Sequence, residues 1–504
     1  MRCSFLPSWS CVLHVALVVL LVISPFALGT HGDDGGRREV CVVGGGAAGS
    51  AITLELLDRG YTNIRLIEPL PFIGGSCNTV YGPNGTWNEP GVAIFPDTLY
   101  ANSVGLGPWK VDMVGWVKRF AGPDSILIPD FFTPLEALAY ADDFNLRLFL
   151  GPAPIAPLTP DQELDFARLF QIMNTTYRWM ETLEDVPNPI PPELLQSTQD
   201  FLIQFNLTSL IPLFLIELTD GGFGHLANLT AFDGLMQKTP TNLLYGTLGA
   251  WFSVEQGCRA VYDGMLTYFN SFGGVVMVNA TVNQIRRPGR FDPLEAPVIV
   301  SGVQNGRHFI EVCDSVVLAM PQTLANLEPI LDLTEEEYAI YSQISTRNYF
   351  VGTADIQTIP TGVPPIFDLA NVNLTDVPFF VPDFPAALLL YRKFAEGRAA
   401  LQGFATTPLT VAEMTATVIE PQLLGLIQSG ALANITNIDV WKHDYNPHFS
   451  VEFLGEPVAP FNKVKAIQGH KRTYVLGAAF STPDTMFIKN QAIDLVERFF
   501  PRRH

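Results

Sequence analysis

The chain reads as an α/β protein organised on a parallel sheet. Three features near its start predict this: an apolar run, a glycine-rich turn, and a second apolar run ending in an acid. Val40-Cys41-Val42-Val43 is long enough for a strand buried on both faces, as parallel-sheet strands are. It runs straight into Gly44-Gly45-Gly46-Ala47-Ala48-Gly49, which puts Gly44, Gly46 and Gly49 at the three positions of a GxGxxG turn. In such a turn the first glycine permits the tight reversal and the second lets backbone approach a pyrophosphate. The third lets the following helix lie close on the strand. The spacing predicts that helix over 48–58, with Ile52, Leu56 and Leu57 toward the sheet and Gly60 as its stop. Its first turn, at Ala48, offers free N–H groups and a positive dipole end to a phosphate. A second strand over 63–67 ends at Glu68, 19 residues past Gly49 (68 − 49), where a carboxylate accepts hydrogen bonds from ribose hydroxyls.

Strand, glycine turn, helix, strand and acid in that order form the Rossmann-type arrangement for a dinucleotide. Organisation further along supports a large two-lobed chain. Residues 99–251 read as a mostly helical insertion with proline-rich breaks at Pro152-Ala153-Pro154 and over 187–192. Sheet character returns from 252: an amphipathic helix over 257–270, then strands over 275–278, 281–285, 298–303, 308–312 and 315–319, closed by Met320-Pro321. Residues 326–464 mix helices with strands, including 349–356 and 387–391. The carboxyl end, 465–504, gives a last strand over 472–480 and a helix over 489–499.

Composition bounds the partners. Hydrophobic residues are 48% and charged residues 16% of 504, so a large interior is required, while a net charge of −20 repels polyanions and sets nucleic acid aside. Residues 1–29 read as a removed signal peptide: Arg2, an apolar stretch over 15–23, and Ala27-Leu28-Gly29 as a small-residue cleavage site. An uncleaved signal anchor is the alternative. No later stretch approaches about 18 consecutive apolar residues, so no membrane span is expected after signal removal. Seven Asn-x-Ser/Thr acceptors begin at Asn84, Asn174, Asn206, Asn228, Asn279, Asn373 and Asn434. Chance would give roughly three, and the excess predicts an N-glycosylated protein of the secretory pathway, secreted or luminal. Cys3 and Cys11 fall in the signal segment, leaving Cys41, Cys77, Cys258 and Cys313, too few for a disulfide scaffold. Cys41, inside a core strand, reads as an inert buried thiol; the four allow three full pairings, among which the sequence does not choose.

The sequel to the second strand, Glu68-Pro69-Leu70-Pro71-Phe72-Ile73-Gly74-Gly75, narrows the nucleotide. A Rossmann fingerprint followed by Glu, five residues and Gly-Gly resembles the amino-terminal signature of the flavin-containing amine oxidase superfamily. The resemblance implies FAD as cofactor, held by Gly44, Gly46, Ala48, Gly49, Glu68, Gly75 and Ser76. It also implies a backbone contact from Val282 of the Val282-x-x-Ile285 stretch to the adenine, and Gly477 and Ala478 under the ribityl chain. The implied fold is a Rossmann-type FAD-binding domain, discontinuous over 38–98, 252–325 and 465–504, with a mixed α+β substrate lobe and its helical insertion. One departure stands out: the main amine oxidases usually carry an acid after the glycine of the last strand, and Ala478 supplies no such hydrogen bond. No cysteine lies near this end, which excludes the cysteine-linked flavin of some relatives. Gln468-Gly469 to Thr473 with Gly477-Ala478-Ala479 is closer to a side branch containing β-cyclopiazonate dehydrogenase and a polyenoic fatty acid isomerase.

A flavin supplies most of the chemistry, so no separate acid–base motif is required. The chain has no HExxH, P-loop, GxSxG elbow or paired CxxC, which removes zinc hydrolysis, NTP hydrolysis, the α/β-hydrolase reaction and dithiol exchange as favoured readings. No metal site and no catalytic side chain is assigned. Phe131, Phe132, Phe144, Phe149, Phe166, Phe170, Phe201 and Phe205 read as core before channel lining, although 35 phenylalanines suit an apolar tunnel. Arg178, Arg347 and Arg392 are candidate anchors for a fatty carboxylate, each read first as a surface ion-pair partner. His225, His443 and His448 read as structural. Three activities follow: isomerisation of a polyunsaturated fatty acid to a conjugated polyene by hydride leaving for flavin N5 and returning elsewhere; net oxidation of an amine or apolar secondary metabolite; and a flavin carrier without turnover. The first is favoured.

Overall fold

The computed structural model describes residues 37–503 apart from 83–86, 93–94, 99–109, 124, 126, 130–136, 143–144, 151–157, 221, 249–250, 274, 290, 294–295, 357–365, 369–371, 374–380, 383–385, 392–397, 406, 429–434 and 483. The signal segment, Asn84, Asn434, Phe131, Phe132, Phe144 and Arg392 lie outside the described residues.

A seven-stranded sheet draws on three separated stretches of chain. Its order is Val276–Met277, Ile64–Ile67, Arg37–Val43, Arg307–Leu318, Val298–Gln304, Ala280–Arg286, with Thr473–Val475 also pairing the Arg307–Leu318 strand. Arg37–Val43 is parallel to both neighbours, and Val40, Cys41 and Val42 are buried, which accounts for an uninterrupted apolar run there. The expected strands over 308–312 and 315–319 are one strand. Its first half pairs antiparallel with Val298–Gln304 and its last residues pair parallel with Thr473–Val475. The switch of partner near Asp314 replaces the break that polarity suggested. Helices Ala47–Asp58, Cys258–Asn270 and Thr485–Phe499 cover one face through Ile52, Leu56, Val261, Met265, Leu495 and Val496. Lys489, nearly buried on the last helix, bridges to Glu55 on the first at 3.0 Å.

A second seven-stranded sheet runs Ile435–Phe449, Ile344–Ile356, Arg398–Ala405, Ala386–Tyr391, Ile366–Asp368, Ala137–Asp142, Asn145–Leu150. One face, with Phe350, Ala354 and Leu401, packs on Met414, Val418 and Leu423 of the helical stretch over 411–428. Its other face carries Tyr349, Val351 and Phe404. The stretch 99–251 is thus not purely helical. It holds helices such as Pro160–Thr175 and Pro240–Leu248, and also the Ala137–Asp142/Asn145–Leu150 hairpin that extends this sheet. Pro160–Thr175 starts where the local chemistry dictates: Thr159 accepts from the Gln162 N–H at 3.2 Å while Gln162 Oε1 accepts from the Thr159 N–H at 2.9 Å. Phe201 is fully buried, and Phe166, Phe170 and Phe205 pack against the same core, as read.

Cys41 is not a free thiol. It is bonded to Cys313 on the neighbouring strand, and Cys77 to Cys258, with Cα separations of 5.9 and 5.5 Å. Adjacent parallel strands bring Cys41 and Cys313 within bonding reach, a juxtaposition that a separation of 272 residues hides.

One polar clamp ties the end of the strand Ala280–Arg286 to residues 332–337 and to Thr473. Arg287, with a fully buried side chain, forks onto Glu337 (Nη1–Oε1 2.5 Å, Nη2–Oε2 2.8 Å), donates from Nε to Asp332 Oδ1 at 3.0 Å and from Nη2 to the Asp332 carbonyl, and reaches Thr473 Oγ1 at 3.3 Å. Among the described residues no helix is long and apolar enough to cross a membrane.

Candidate functional site

The glycine turn and the Gly74-Gly75 turn face each other. Gly44 has φ +101°, and a Cβ there would meet the Met320 nitrogen at 2.9 Å; Gly49 is packed so closely that its Cβ would fall 1.7 Å from the Gly44 carbonyl oxygen. Gly74 donates its N–H to the Gly45 carbonyl at 2.8 Å, and Gly75, with φ +59°, stands over Gly46. A diphosphate fits this place. Helix Ala47–Asp58 begins at Gly46 with no capping side chain and no acid in its first turn, and a Cβ on Gly46 would meet nothing nearer than Gly75 Cα at 3.8 Å. Ala48 lies buried within that first turn, and Ser76, half-buried, follows the second turn with its carbonyl accepting from the Val92 N–H at 3.0 Å.

Glu68 follows the strand Ile64–Ile67 at the same rim. Oε2 accepts from the Gly45 N–H at 2.6 Å and Oε1 from the Leu70 N–H at 2.8 Å, so the carboxylate itself fixes the glycine turn. Burial raises its pKa, and the two backbone bonds work against that rise. Each oxygen keeps a second lone pair for a ribose hydroxyl. Beside it, Asn279 and Ala280 donate to the Leu70 and Glu68 carbonyls at 3.0 and 2.9 Å, which brings in the strand of Val282. Val282 is half-buried against the core, and the ladder shifts register between Val282 and Gln284.

At the far end, Gly477 has φ +142° and donates to Gln491 Oε1 at 3.1 Å; Ala478, partly buried, brings no polar atom. Behind them stands Gln322, a residue that no motif singled out. Its Nε2 donates to the Leu318 and Leu476 carbonyls at 2.8 and 3.0 Å, joining the ends of two adjacent parallel strands. Nearby, a cavity of about 110 Å³ is lined by Glu181, Phe480, Thr482 and Gln491, among others. Glu181 accepts from the Thr241 N–H at 2.8 Å, yet burial pushes its carboxyl up to about 7. A raised acid takes up a proton more readily folded than unfolded, so its contribution falls as pH rises from about 4.5 to 7 and is then constant. Glu181→Gln is expected to flatten the melting temperature over that range and to raise stability at pH 8 by roughly 3 kcal/mol at most. A variant that melts in parallel with the parent from pH 5 to 8 would contradict this.

The second sheet presents aromatic rings on the face opposite its helical cover. Tyr349 lies 4.9 Å from Phe404 and 4.6 Å from Tyr445, and Phe223 lies 5.9 Å from Tyr445, centroid to centroid. Gly222 crosses these rings with φ +84°, where a Cβ would meet three of them at 2.8–3.2 Å. Next along that face is Arg347. It is not a surface residue: its side chain is 24% exposed, and its Nη2 lies 3.4 Å from Asp233 Oδ2. Arg178, in contrast, is exposed on Asn174. His448 bonds Ser345 Oγ at 3.2 Å and the Asn446 carbonyl at 2.9 Å. Burial lowers its pKa, with Asp233 opposing and Arg347 reinforcing. His443 accepts from Trp441 Nε1 at 3.1 Å, and burial lowers its pKa with Asp444 opposing, while His225 Nδ1 accepts from the Ala227 N–H, both structural roles. Among the described residues no cluster of His, Cys, Asp and Glu forms a metal site.

No family model matches the chain. An uncharacterized protein of Acanthamoeba polyphaga mimivirus is 30% identical over 486 residues, 93% of this chain and 94% of that one. An FAD-dependent oxidoreductase of Colletotrichum higginsianum is 24% identical over 464 residues, covering 90% and 91%. Beta-cyclopiazonate dehydrogenase of Aspergillus oryzae is 22% identical over 378 residues, covering 74% and 73%. Among solved structures, a CLA-producing fatty acid isomerase from P. acnes superposes with a TM-score of 0.70 at 17% identity, over 93% of this chain and all of that one. Wild-type putrescine oxidase bound to putrescine gives 0.58 at 16%, over 92% and 98%. With the α/β sheet, the paired glycine turns and Glu68 in place, and with FAD-dependent relatives along nearly its whole described length, the chain shares the fold of the flavin-containing amine oxidases and is an FAD-dependent oxidoreductase.

Proposed function

We propose that the protein isomerises double bonds of polyunsaturated fatty acids to conjugated polyenes. In this reading 38–98, 252–325 and 465–504 form the FAD-binding domain, and 326–464 with the insertion 99–251 form the substrate lobe. Gly44, Gly46, Ala48, Gly49, Gly75 and Ser76 surround the diphosphate, Glu68 takes a ribose, Val282 lies by the adenine, and Gly477 and Ala478 take the ribityl end. Bound FAD supplies reversible hydride acceptance at the flavin N5, which suffices for both removal and return at different carbons. The chain's own part is to hold a hydrocarbon in place and keep water out.

The observation that carries this reading is the aromatic face, where Tyr349, Val351, Phe404 and Tyr445 offer a wall suited to an apolar chain. Superposition on a fatty acid isomerase supports it. The alternative is net oxidation of an amine or apolar secondary metabolite, which the beta-cyclopiazonate dehydrogenase relative favours. The secretory assignment belongs to the same proposal: Asn206, Asn228 and Asn279 are exposed, as glycan acceptors must be.

Anaerobic incubation of the yellow holoprotein with arachidonic acid separates the readings. Conjugated-triene absorbance without oxygen use is expected. Product formation that depends on oxygen and releases peroxide would transfer the assignment to an oxidase, and absence of turnover with either substrate class would leave a carrier.

A further inference from the structure

Arg287 and Arg347 both withdraw their side chains largely from solvent, and the two differ in how their donors are used. Arg287 spends Nε, Nη1 and Nη2 on Asp332, Glu337 and Thr473. Arg347, with the same five donors, has one contact, from Nη2 to Asp233 at a long 3.4 Å, and its Nε is shut off from solvent with no partner among the described residues. A guanidinium left in that condition is costly, because it is dehydrated and only partly compensated. Its surroundings point the same way. Arg347 shares its face of the sheet with Tyr349, pairs across the ladder with Tyr445, and lies where the register shifts between Ser345 and Arg347, with Asn446 on the opposing strand at φ +44°. A bulge of this kind re-aims a side chain, and such bulges gather beside active sites. Asp233, Asn446 and His448 line one small cavity with Ala478 and Ala479, so this end of the aromatic wall meets the loop assigned to the flavin.

We propose that Arg347 is the head-group receptor of the substrate pocket, so that the substrate is a carboxylate-bearing hydrocarbon whose anion takes the vacant Nε edge while Nη2 keeps Asp233. The inference rests on the apolar-substrate reading above and sharpens it. The Nε/Nη2 edge of a guanidinium matches a carboxylate bidentately, and Lys in its place would offer a point charge without the fork. The same geometry disfavours an amine, whose cation would face Arg347.

The test uses a saturated acid that cannot be isomerised, so binding is read apart from turnover. Decanoate, decanol and decylamine are titrated into FAD-loaded protein by calorimetry, with flavin content and melting temperature as controls. Decanoate is expected to bind the parent tighter than either other probe. Arg347→Gln is expected to weaken decanoate about 30-fold and leave decanol unchanged. Arg347→Lys, which keeps a cation for Asp233, is expected to weaken it about tenfold, and it decides the matter if the Gln variant does not fold. Decanol or decylamine binding the parent as tightly as decanoate overturns the proposal, as does a folded, yellow Arg347 variant with unaltered decanoate affinity. Decanoate that binds as expected in a protein inert toward arachidonic acid leaves the head-group assignment standing and removes the isomerase.

Discussion

Gly49→Ala is expected to yield protein that neither holds FAD nor reaches the parent's stability, because its Cβ would sit 1.7 Å from the Gly44 carbonyl oxygen. The obstacle is backbone, and the helix bearing Gly49 is buried along the sheet through Ile52, Leu54 and Leu56, so neither side yields without losing contacts. Overpacking of this kind costs about 3 kcal/mol or more. Gly46→Val separates cofactor from fold. Its Cβ meets no protein atom nearer than 3.8 Å and its extended backbone suits a branched residue, so the apoprotein should melt within a degree or so of the parent apoprotein. The side chain nevertheless enters the gap between the two glycine turns, and the ratio of flavin to protein absorbance should fall to background. A Gly46→Val protein that purifies with a full complement of flavin would refute the diphosphate assignment.

Truncating the clamp is the second large effect. Glu337→Ala leaves Arg287 dehydrated without its fork, and losses of about 3–5 kcal/mol follow when one partner of a buried pair is removed. Arg287→Met with Glu337→Leu should recover much of that loss, since two apolar side chains leave no uncompensated charge. Urea denaturation of the two single variants and the double variant measures both. A double variant no more stable than Glu337→Ala would contradict the argument. The pH dependence has a definite sign. Burial alone would raise the Glu337 and Asp332 carboxyls, but Arg287 aided by Thr334 outweighs it at Glu337, and Lys471 together with Arg287 outweighs it at Asp332, so both lie below their usual values. Their contribution is complete above the unfolded carboxylate range and disappears as pH falls through the lower folded values. Glu181 acts oppositely.

Much of the fold was legible because periodicity and glycine report local constraints. The turn at Gly44 to Gly49, the helix that starts at Ala47 and the strand Ile64–Ile67 that leads to Glu68 each follow from neighbours within a few residues. The hairpin Ala137–Asp142/Asn145–Leu150 escaped because its surroundings read as helix, while its strand character depends on pairing with Ile366–Asp368, more than 200 residues away. Disulfide partners escaped for the same reason. Glu68 was legible as an acid at the right distance, but its two bonds to the Gly45 and Leu70 amides were not, since they arise only once the turn is folded. Arg347 and Arg287 are indistinguishable as residue types; burial and the carboxylates within reach of each decide that one is a strut and the other a receptor candidate.

The strand Arg37–Val43 has a temporal consequence. It is among the first described segments to leave the ribosome, yet one of its two ladders and its covalent partner Cys313 lie 272 residues downstream of Cys41. Until well over half the polypeptide has emerged, that apolar strand has an open edge, which makes the nascent chain dependent on holding factors and slow to assemble. Oxidants that act early find Cys41 and Cys77 together without their proper mates, so cross-linking before synthesis passes Cys258 favours a wrong bond between those two.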